Sequence, residues 1–415
     1  MRWLLFMAAA FMASVALAAC TQEEQAGTAG PGATAAAEAT PPPTLAPSVT
    51  APQLAYIDGA GDIWLTDAAG SDRRNLAGGD PVRCPRPIGL YWSPNGDWLA
   101  CVGTGSPPDE QTTLFIVDIE GRPHLGMEPK ARLESFDWWP TGLDYTYVLR
   151  LPDGTRETNA GSIGVCSQAG PPLDDAREVF WSPDESQAAY AKGPGDTLAV
   201  YDVAEHQERV IGDGLRPLAW VLDGKALVAA SDERGDGMFA TYTAHLLDPA
   251  TGELTRVPQL DNDAQIWPSP DGRTLAYFAH QAGAEISLLD LSTGTVTPIP
   301  GAVPYETEWI PPDHLAFSPD GSQLFWADFL PLPEEGVRSV AIYRADIKGG
   351  GIAKVAEIES VEIRFSPDQT KVLYRISGAA ADSTLWVANI DGSDARLLAE
   401  DTWPAAWRPL APLIK

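Results

Sequence analysis

The chain has 415 residues, of which 44% are hydrophobic and 14 are tryptophan, so it can bury a large core and is not disordered as a whole. This length suits two or three average domains or one large repeat fold. The formal net charge of -29 at pH 7 argues against a nucleic-acid partner, which needs a basic surface, and against electrostatic docking on anionic lipid. Acidity by itself indicates solubility rather than a particular function.

The N-terminus has the pattern of an export signal. Arg2 precedes an apolar run, Trp3–Ala16, of about 14 residues, which is too short to span a membrane but suits a signal-peptide core. The run ends at Leu17–Cys20 (LAAC), which resembles the bacterial lipobox. The resemblance implies a signal peptide over residues 1–19 and lipidation of Cys20; an ordinary secretory signal is the alternative. We therefore expect a protein of the cell envelope, held by the lipid on Cys20 on the extracytoplasmic side of a membrane, at the cell surface or in the periplasm.

Residues 20–51 differ in composition from the rest of the chain. They are rich in Ala, Thr, Pro and Gly, include Pro41–Pro43, and contain almost no large apolar side chain. Such a segment buries too little to offset the entropy of ordering, so we predict a disordered tether with a reach of roughly 30 Å. The folded domain is predicted at residues 52–411.

A turn-bearing unit recurs eight times in that domain. Its clearest copy is AFSPDGSQLFW at Ala316–Trp326, which predicts a strand, a tight turn and a second strand. The turn prolines are Pro94, Pro140, Pro183, Pro270, Pro319, Pro367 and Pro409, with Leu222 in the remaining copy. Copies are 39 to 49 residues apart, which is the period of a propeller blade. The aromatic residue before each turn is expected to pack between blades: Trp92, Trp138, Trp181, Trp220, Phe317, Phe365 and Trp407.

A second unit, an apolar strand ending in Asp or Asn before a turn, alternates with the first. The carboxylates are expected to cap turn amides at Asp67, Asp118, Asp202, Asp248, Asp290 and Asp346. A weak eighth copy is Ser162–Gly170. The second unit begins the array at Asp62, and the first unit ends it at Trp407, so the two ends of the array supply parts of one blade.

This stagger predicts the fold. Strands A to D run from the axis of a blade outward; the Ser-Pro-Asp-Gly turn joins A to B, and the Asp-ended strand is C. We predict an all-β propeller of four-stranded antiparallel blades, eight in number with seven as the alternative. Pairing of the N- and C-terminal strands would close the ring and remove two exposed sheet edges.

The Ser-Pro-Asp-Gly units resemble the WD-like repeats of the TolB-type propeller family, which also occur in prolyl-oligopeptidase-type enzymes. The resemblance covers about residues 53–410 and implies the fold, but the fold hosts many activities. TolB-like proteins usually have six blades and a small N-terminal α/β domain, whereas this chain has eight copies and a tether. The G-x-S-x-G nucleophile elbow of the hydrolases is missing from the sequence.

No pattern indicates a metal or cofactor site, and we expect neither. The five histidines lack H-x-x-H spacing, and Asp232–Gly237 lacks the ligand order of a calcium loop.

Three cysteines follow Cys20. Cys84 and Cys101, expected on the A and B strands of one hairpin, are the favoured disulfide pair, and Cys166 could replace either.

The B–C and D–A loops open on one face of a propeller and carry most of its binding. The long loops at 231–239, 300–314 and 327–339 combine aromatic and acidic residues. The candidate binding residues are Tyr305, Glu306, Glu308, Trp309, Asp328, Phe329, Glu334, Glu335, Asp232, Glu233 and Asp236. The alternative is a purely structural role, in which these loops only pack on one another.

Two functions remain open at this point. The favoured one is a non-catalytic, membrane-anchored lipoprotein whose propeller is a binding or scaffold module for a protein, peptide or glycan. The alternative is a propeller-based hydrolase or lyase with carboxylates in the central channel.

Overall fold

A computed structural model describes residues 53–76, 84, 86–104, 112–127, 131–163, 173, 175–193, 195–233, 241–261, 265–278, 285–302, 314–330, 339–348, 351–360, 362–377, 383–402 and 404–409. The predicted signal peptide, Cys20, the tether and Cys166 lie outside these residues. A short 3-10 turn is formed by Pro258–Leu260, and the described residues contain no α-helix. No described helix has the length and hydropathy needed to cross a bilayer.

The strands form eight separate antiparallel sheets, one for each blade. Blade 1 contains β1 (Gln53–Ile57), β2 (Ile63–Asp67), β3 (Arg74–Asn75) and the last strand, β31 (Ala405–Trp407). Blade 2 contains β4 (Pro87–Trp92), β5 (Trp98–Thr104), β6 (Thr112–Asp118) and β7 (Pro123–Met127). Blade 3 contains β8 (Arg132–Trp138), β9 (Asp144–Arg150) and β10 (Arg156–Ser162). Blade 4 contains β11 (Ala176–Trp181), β12 (Gln187–Lys192), β13 (Thr197–Asp202) and β14 (Gln207–Gly212).

The second half of the ring repeats the same order. Blade 5 contains β15 (Leu215–Val221), β16 (Ala226–Glu233), β17 (Thr241–Leu247) and β18 (Leu254–Arg256). Blade 6 contains β19 (Gln265–Pro268), β20 (Thr274–Phe278), β21 (Ser287–Asp290) and β22 (Val296–Pro298). Blade 7 contains β23 (Leu315–Phe317), β24 (Gln323–Phe329), β25 (Ser339–Asp346) and β26 (Ala353–Glu359). Blade 8 contains β27 (Glu362–Phe365), β28 (Lys371–Ser377), β29 (Ser383–Asn389) and β30 (Arg396–Glu400).

The eight-bladed all-β propeller is confirmed, and the alternative of seven blades is wrong. The predicted C strand of blade 3 needs correction, because the structure places it at Arg156–Ser162 rather than at Ser162–Gly170. Its position follows from a tight turn, in which Leu151 N donates to Thr155 O (2.9 Å) and Gly154 has a φ of 87°. The chain therefore reverses at once and β10 pairs along all of β9.

The ring closes by the predicted pairing of its two ends. In β1 and β31, Leu54 pairs with Trp407 and Tyr56 with Ala405, and Leu54, Tyr56 and Ala405 are fully buried. Arg408 extends the seam, since its Nη1 donates to Gln53 Oε1 (2.6 Å) and its Nε to Gly96 O (2.7 Å). The C-terminal strand thus contacts both its own blade and the first turn of blade 2.

Tryptophan side chains join the inner strands of neighbouring blades, as expected of the aromatic residue before each turn. The indole N–H donates to a carbonyl of the preceding inner strand in four pairs: Trp92 to Ala406 (3.1 Å), Trp138 to Tyr91 (3.1 Å), Trp220 to Phe180 (2.8 Å) and Trp407 to Arg364 (3.1 Å). In each pair the acceptor is the residue just before the equivalent aromatic. These bonds help to fix the angle between successive blades, in addition to the area that the rings bury.

The Ser-Pro-Asp-Gly turns are closed by their own side chains. Ser318 Oγ donates to Asp320 Oδ1 (2.6 Å) and accepts from Gln323 N (2.9 Å), while Asp320 Oδ1 also accepts from Ser322 N (3.0 Å). The Ser318 hydroxyl is the chief reason that the pKa of Asp320 is lowered to about 2. The same bonds occur in the turns that begin at Ser182, Ser269 and Ser366. The carboxylate at this exposed place is therefore structural.

Cys84 and Cys101 form a disulfide, and both are fully buried. Cys84 precedes β4 instead of lying on the A strand as predicted, and its amide donates to Gly61 O of blade 1 (3.0 Å). The bond therefore ties blade 2 to the connection from blade 1. Closing a loop of 17 residues stabilises the fold by about 3 kcal/mol in the chain-entropy account.

Removing the closing strand should abolish cooperative unfolding. Deletion of residues 403–415 removes β31 and exposes the inner edge of β1, whose partner residues are buried. We expect calorimetry to show a broad, low-temperature transition for this truncation. Deletion of residues 411–415 alone is the control and should melt as the full chain does. One sharp transition for the longer truncation would contradict ring closure as the basis of stability.

Candidate functional site

Each blade places one side chain at an equivalent position of its inner strand, three residues before the turn proline or Leu222. Since β31 contacts both β27 and β4, these positions follow one another around the propeller axis. Around the ring they are Tyr91, Asp137, Phe180, Ala219, Trp267, Ala316, Arg364 and Ala406. Of these eight, Asp137 and Arg364 are charged, so the layer is mostly apolar with two charges of opposite sign.

Arg364 is held in position by its neighbours. It lies on β27 between Ile363 and Phe365, which are buried in the blade interfaces. Its Nη1 donates to Ala405 O of the closing strand (2.9 Å), and its Nη2 donates to Glu362 Oε1 (3.3 Å). The guanidinium is therefore oriented by a backbone carbonyl of the next blade and by a carboxylate on its own strand.

Glu362 lies between two arginines. Its Oε1 is 3.3 Å from Arg364 Nη2, and its Oε2 is 3.6 Å from Arg375 Nη2. The three side chains are 25 to 27% exposed, so water screens them only in part. Glu362 therefore lies against one arginine of its own strand and against Arg375, its partner on β28.

A cavity of about 330 Å³ opens beside Arg364, where blades 7, 8 and 1 meet. Its lining residues are Leu315, Ala316, Arg364, Phe365, Pro367, Ala406 and Trp407. Three of them, Ala316, Arg364 and Ala406, are consecutive members of the inner layer. Arg364 is the charged residue among these lining side chains, and the rest of the wall is aliphatic or aromatic.

His314 lies just before β23 and is 2% exposed. Burial, with a smaller contribution from the charge of Arg364, lowers its pKa to about 4. The imidazole is therefore neutral at pH 7. Within the described part of the chain its Nδ1 has no hydrogen-bond partner, and its ring centre is 5.2 Å from that of Phe329.

The contact between His314 and Phe329 locates part of the predicted binding face. Phe329 ends β24, where the B–C loop of blade 7 begins, and His314 is where the D–A loop rejoins the described chain. Asp328 precedes Phe329 and pairs with Ala341. One described end of each of the two long connections next to blade 7 therefore lies at this contact.

The other candidate residues divide into two groups. Asp232 and Glu233 end β16 in blade 5, on the same face but two blades away, and their side chains lie outside the described part. Tyr305, Glu306, Glu308, Trp309, Glu334, Glu335 and Asp236 lie outside the described residues. The structure therefore brings Phe329 close to His314, and the composition of the binding face stays a prediction.

Two carboxylates on innermost strands, Glu134 of β8 and Glu362 of β27, each lie against two arginines. Glu134 Oε1 accepts from Arg150 (3.3 Å) and its Oε2 from Arg156 (2.5 Å), so both oxygens have partners, as in Glu362. Tyr91 has its pKa raised by burial and by the charge of Asp137, with Arg364 acting in the opposite direction. Among the described residues no group of three or more His, Cys, Asp or Glu side chains is arranged to hold a metal ion.

Sequence reasoning missed the Arg364 cavity and the buried His314. The walls of the cavity come from residues between 315 and 407, so no local sequence motif predicts the cavity. One feature of the sequence does distinguish Arg364. At its position in the repeat, six of the eight copies have an uncharged residue. Aligning the copies by their turns would have identified it as an exception.

Solved structures with this fold have unrelated activities. A eukaryotic initiation factor superposes with a TM-score of 0.57 at 16% identity, over 88% of this chain and 100% of the other. A prolyl endopeptidase superposes with a TM-score of 0.54 at 10% identity, over 77% of this chain and 50% of the other. This chain thus spans half of that enzyme's length, and identities this low show the fold alone.

TolB from Acinetobacter baumannii, whose family the repeats resemble, has 17% identity over 75% of this chain and 83% of the other. Its TM-score of 0.36 is too low to support an argument about function. No family model and no curated protein matches the chain. The comparisons therefore support a β-propeller with a TolB protein among its neighbours and nothing finer.

Protonation of His314 should weaken the fold at low pH. The folded-state pKa of about 4 is below the ordinary 6.5, so the unfolded chain takes up the proton first as pH falls. Stability from this group is complete above pH 6.5 and is lost between 6.5 and 4, by at most about 3 kcal/mol. We expect His314→Gln to reduce the pH dependence of the urea midpoint in this window.

The matched control is His124→Gln, which changes an exposed histidine on β7. This variant should retain the wild-type pH dependence. Equal slopes for His314→Gln and the wild type would show that His314 does not contribute to acid sensitivity.

Proposed function

We propose that this protein is a lipid-anchored, extracytoplasmic binding module. In this proposal the lipid on Cys20 holds the chain to a membrane, residues 20–51 form a spacer, and the propeller binds a protein, peptide or glycan. The binding surface is the face of the B–C and D–A loops, centred on blade 7. The proposal assigns no catalytic step to the chain.

The contact between His314 and Phe329 is the observation that carries the binding half of the proposal. It holds the bases of the two long blade-7 connections together, with ring centres 5.2 Å apart. Both connections are rich in aromatic and acidic residues, and an aromatic cluster with an acidic rim suits recognition of a macromolecular surface. A buried anchor beneath the loops provides the rigid support that such a site needs.

The buried disulfide supports the extracytoplasmic assignment. Disulfides persist in oxidising compartments and are rare in the reduced cytosol, and Cys84–Cys101 is fully buried next to the seam of the ring. The apolar N-terminal run and the LAAC motif also support export and lipidation. This support is independent of the disulfide, because these residues lie outside the propeller.

The enzyme alternative relies on reactive carboxylates in the channel. Glu134 and Glu362 each have an arginine against both oxygens, an arrangement that neutralises a carboxylate and orients the arginines. A general base would have to give up these ion pairs before it could accept a proton. At these two carboxylates the ion pairs therefore count against the enzyme alternative.

Lipidation is tested at Cys20. In the bacterial host, Cys20→Ala should move the chain from the membrane pellet to the soluble fraction and abolish labelling with an alkyne fatty acid, because the thiol is the site of attachment. Thr21→Ser, at the next residue, is the control and should remain membrane-bound and labelled. A Cys20→Ala chain that still incorporates the label would contradict the anchor.

The binding face is tested at its aromatic residues. Replacing Tyr305, Trp309 and Phe329 by Ala should reduce partner recovery in cell cross-linking by about tenfold, because buried aromatics dominate interface energies. Asp320→Asn, in a turn on the opposite face, is the control and should leave recovery unchanged. Equal recovery from the triple variant would place the partner site elsewhere.

A further inference from the structure

We propose that blade 3 binds a small polycarboxylate, a ligand with two or more carboxylate groups, at the end from which its B–C and D–A connections emerge. The site is a row of three arginines, Arg132 of β8, Arg150 of β9 and Arg156 of β10. It goes beyond the proposed partner surface, because blade 3 lies across the ring from blade 7. The row also contains none of the residues assigned to that surface.

The register of the sheet aligns the three arginines. Arg150 pairs with Arg132 on one side and with Arg156 on the other. Residues directly opposite one another in an antiparallel sheet project from the same face, and neighbouring strands are about 4.8 Å apart. The row therefore crosses about 10 Å of the blade, a length that suits a small molecule.

The row is open to solvent and faces blade 4. Arg132 is exposed, and the Arg150 side chain is 51% exposed. Only the tight turn of residues 151–155 joins β9 to β10, and it is too short to fold over the row. Farther along the same face, the Thr158 hydroxyl donates to Ala176 O of β11 (3.3 Å), which shows that this face meets blade 4.

A β-bulge places one carboxylate beside the row. The register of β8 shifts at Glu134, which is the extra residue of the bulge. Its Oε1 accepts from Arg150 Nη1 (3.3 Å) and its Oε2 from Arg156 Nε (2.5 Å). In blade 2 the bulge position at the same distance from the turn proline is Ile88. The acidic bulge residue of blade 3 therefore accompanies the arginines and orients two of them.

Donors remain in all three guanidinium groups. The contacts with Glu134 use one nitrogen of Arg150 and one of Arg156. The other nitrogens of these two side chains, and the whole side chain of Arg132, make no hydrogen bond or ion pair with the described residues. The row can therefore accept an anion without giving up its contacts with Glu134.

The other described acidic residues at this end of blade 3 are engaged or point away. Asp153 accepts from Thr155 N (2.9 Å) and from the Thr155 hydroxyl (2.6 Å). Glu157 follows Arg156 in β10 and therefore projects from the opposite face. In blade 4, Lys192 forms an ion pair with Glu208. None of these contacts involves the three arginines.

The chemistry of the row matches carboxylates. Guanidinium presents its donors in a planar fork that binds a carboxylate through two parallel hydrogen bonds. Arg132 and Arg150 are one strand spacing apart, so they can bind two carboxylates of one molecule. Like charges directly opposite one another destabilise a sheet, and a bound polyanion offsets this repulsion.

The test is calorimetric titration of the purified full-length chain with tricarballylate, a flexible tricarboxylate, and with acetate at the same ionic strength. We expect saturable binding of tricarballylate with an affinity about tenfold or more above that of acetate, because two charge-assisted forks are engaged. Added sodium chloride should weaken the binding, since the groups are exposed. A uronate hexamer and a glutamate hexapeptide form the second arm, and neither should bind more tightly than tricarballylate.

Arg132→Gln locates the binding. It should weaken tricarballylate by about tenfold or more, and tricarballylate should raise the melting temperature of the wild type but not of this variant. Without ligand the variant should melt no lower than the wild type, because the Arg132 side chain has no partner among the described residues. Arg396→Gln removes the same charge from the outer strand of blade 8 and is the matched control, with unchanged binding expected.

Four results would overturn the proposal. They are the absence of saturable tricarballylate binding at millimolar concentrations, equal affinity for tricarballylate and acetate, wild-type affinity in Arg132→Gln, or much tighter binding of either polymer probe. The last result would assign the row to an acidic glycan or an acidic peptide instead. These results leave the partner surface untouched, because that surface is tested in cells through Phe329 and the loop aromatics on the other side of the ring.

Discussion

The pairing of β31 with β1 is the contact on which the whole ring depends. Each blade is a small sheet that buries its faces only against its neighbours, so an open array would leave two faces and two edges in water. Three residues at the C-terminal end of the fold supply the missing inner strand of blade 1. That pairing lies within blade 1, and Arg408 and the indole of Trp407 add bonds to blades 2 and 8, so the closing strand links three blades.

Different residues of the repeated turn have different structural roles. Serine and aspartate side chains satisfy the turn amides, while the aromatic residue before the turn bonds to or packs on the preceding blade. The residue one position earlier differs from blade to blade: it is Tyr91 in blade 2, Asp137 in blade 3 and Arg364 in blade 8. The serine–aspartate bonds of the turn recur in four blades and the indole bonds in four, whereas the residue before the aromatic is different in most blades.

The sequence was sufficient to predict the fold because each blade repeats its own turn chemistry. Eight copies, an A strand left over at one end and a missing A strand at the other led to the closed ring that the structure has. The C strand of blade 3 was misplaced because its sequence, RETNAGS, lacks apolar alternation. The prediction therefore relied on the spacing of the repeats alone. The Arg364 cavity could not be predicted, since three blades must meet before its walls exist.

The cavity wall includes Ala406 and Trp407, which belong to the closing strand β31. The pocket is therefore absent from every incomplete or open ring and appears only after the two ends of the array have paired. Any molecule that occupies it binds the closed form alone and shifts the folding equilibrium by mass action. A molecule bound in the cavity therefore indicates that the ring is closed.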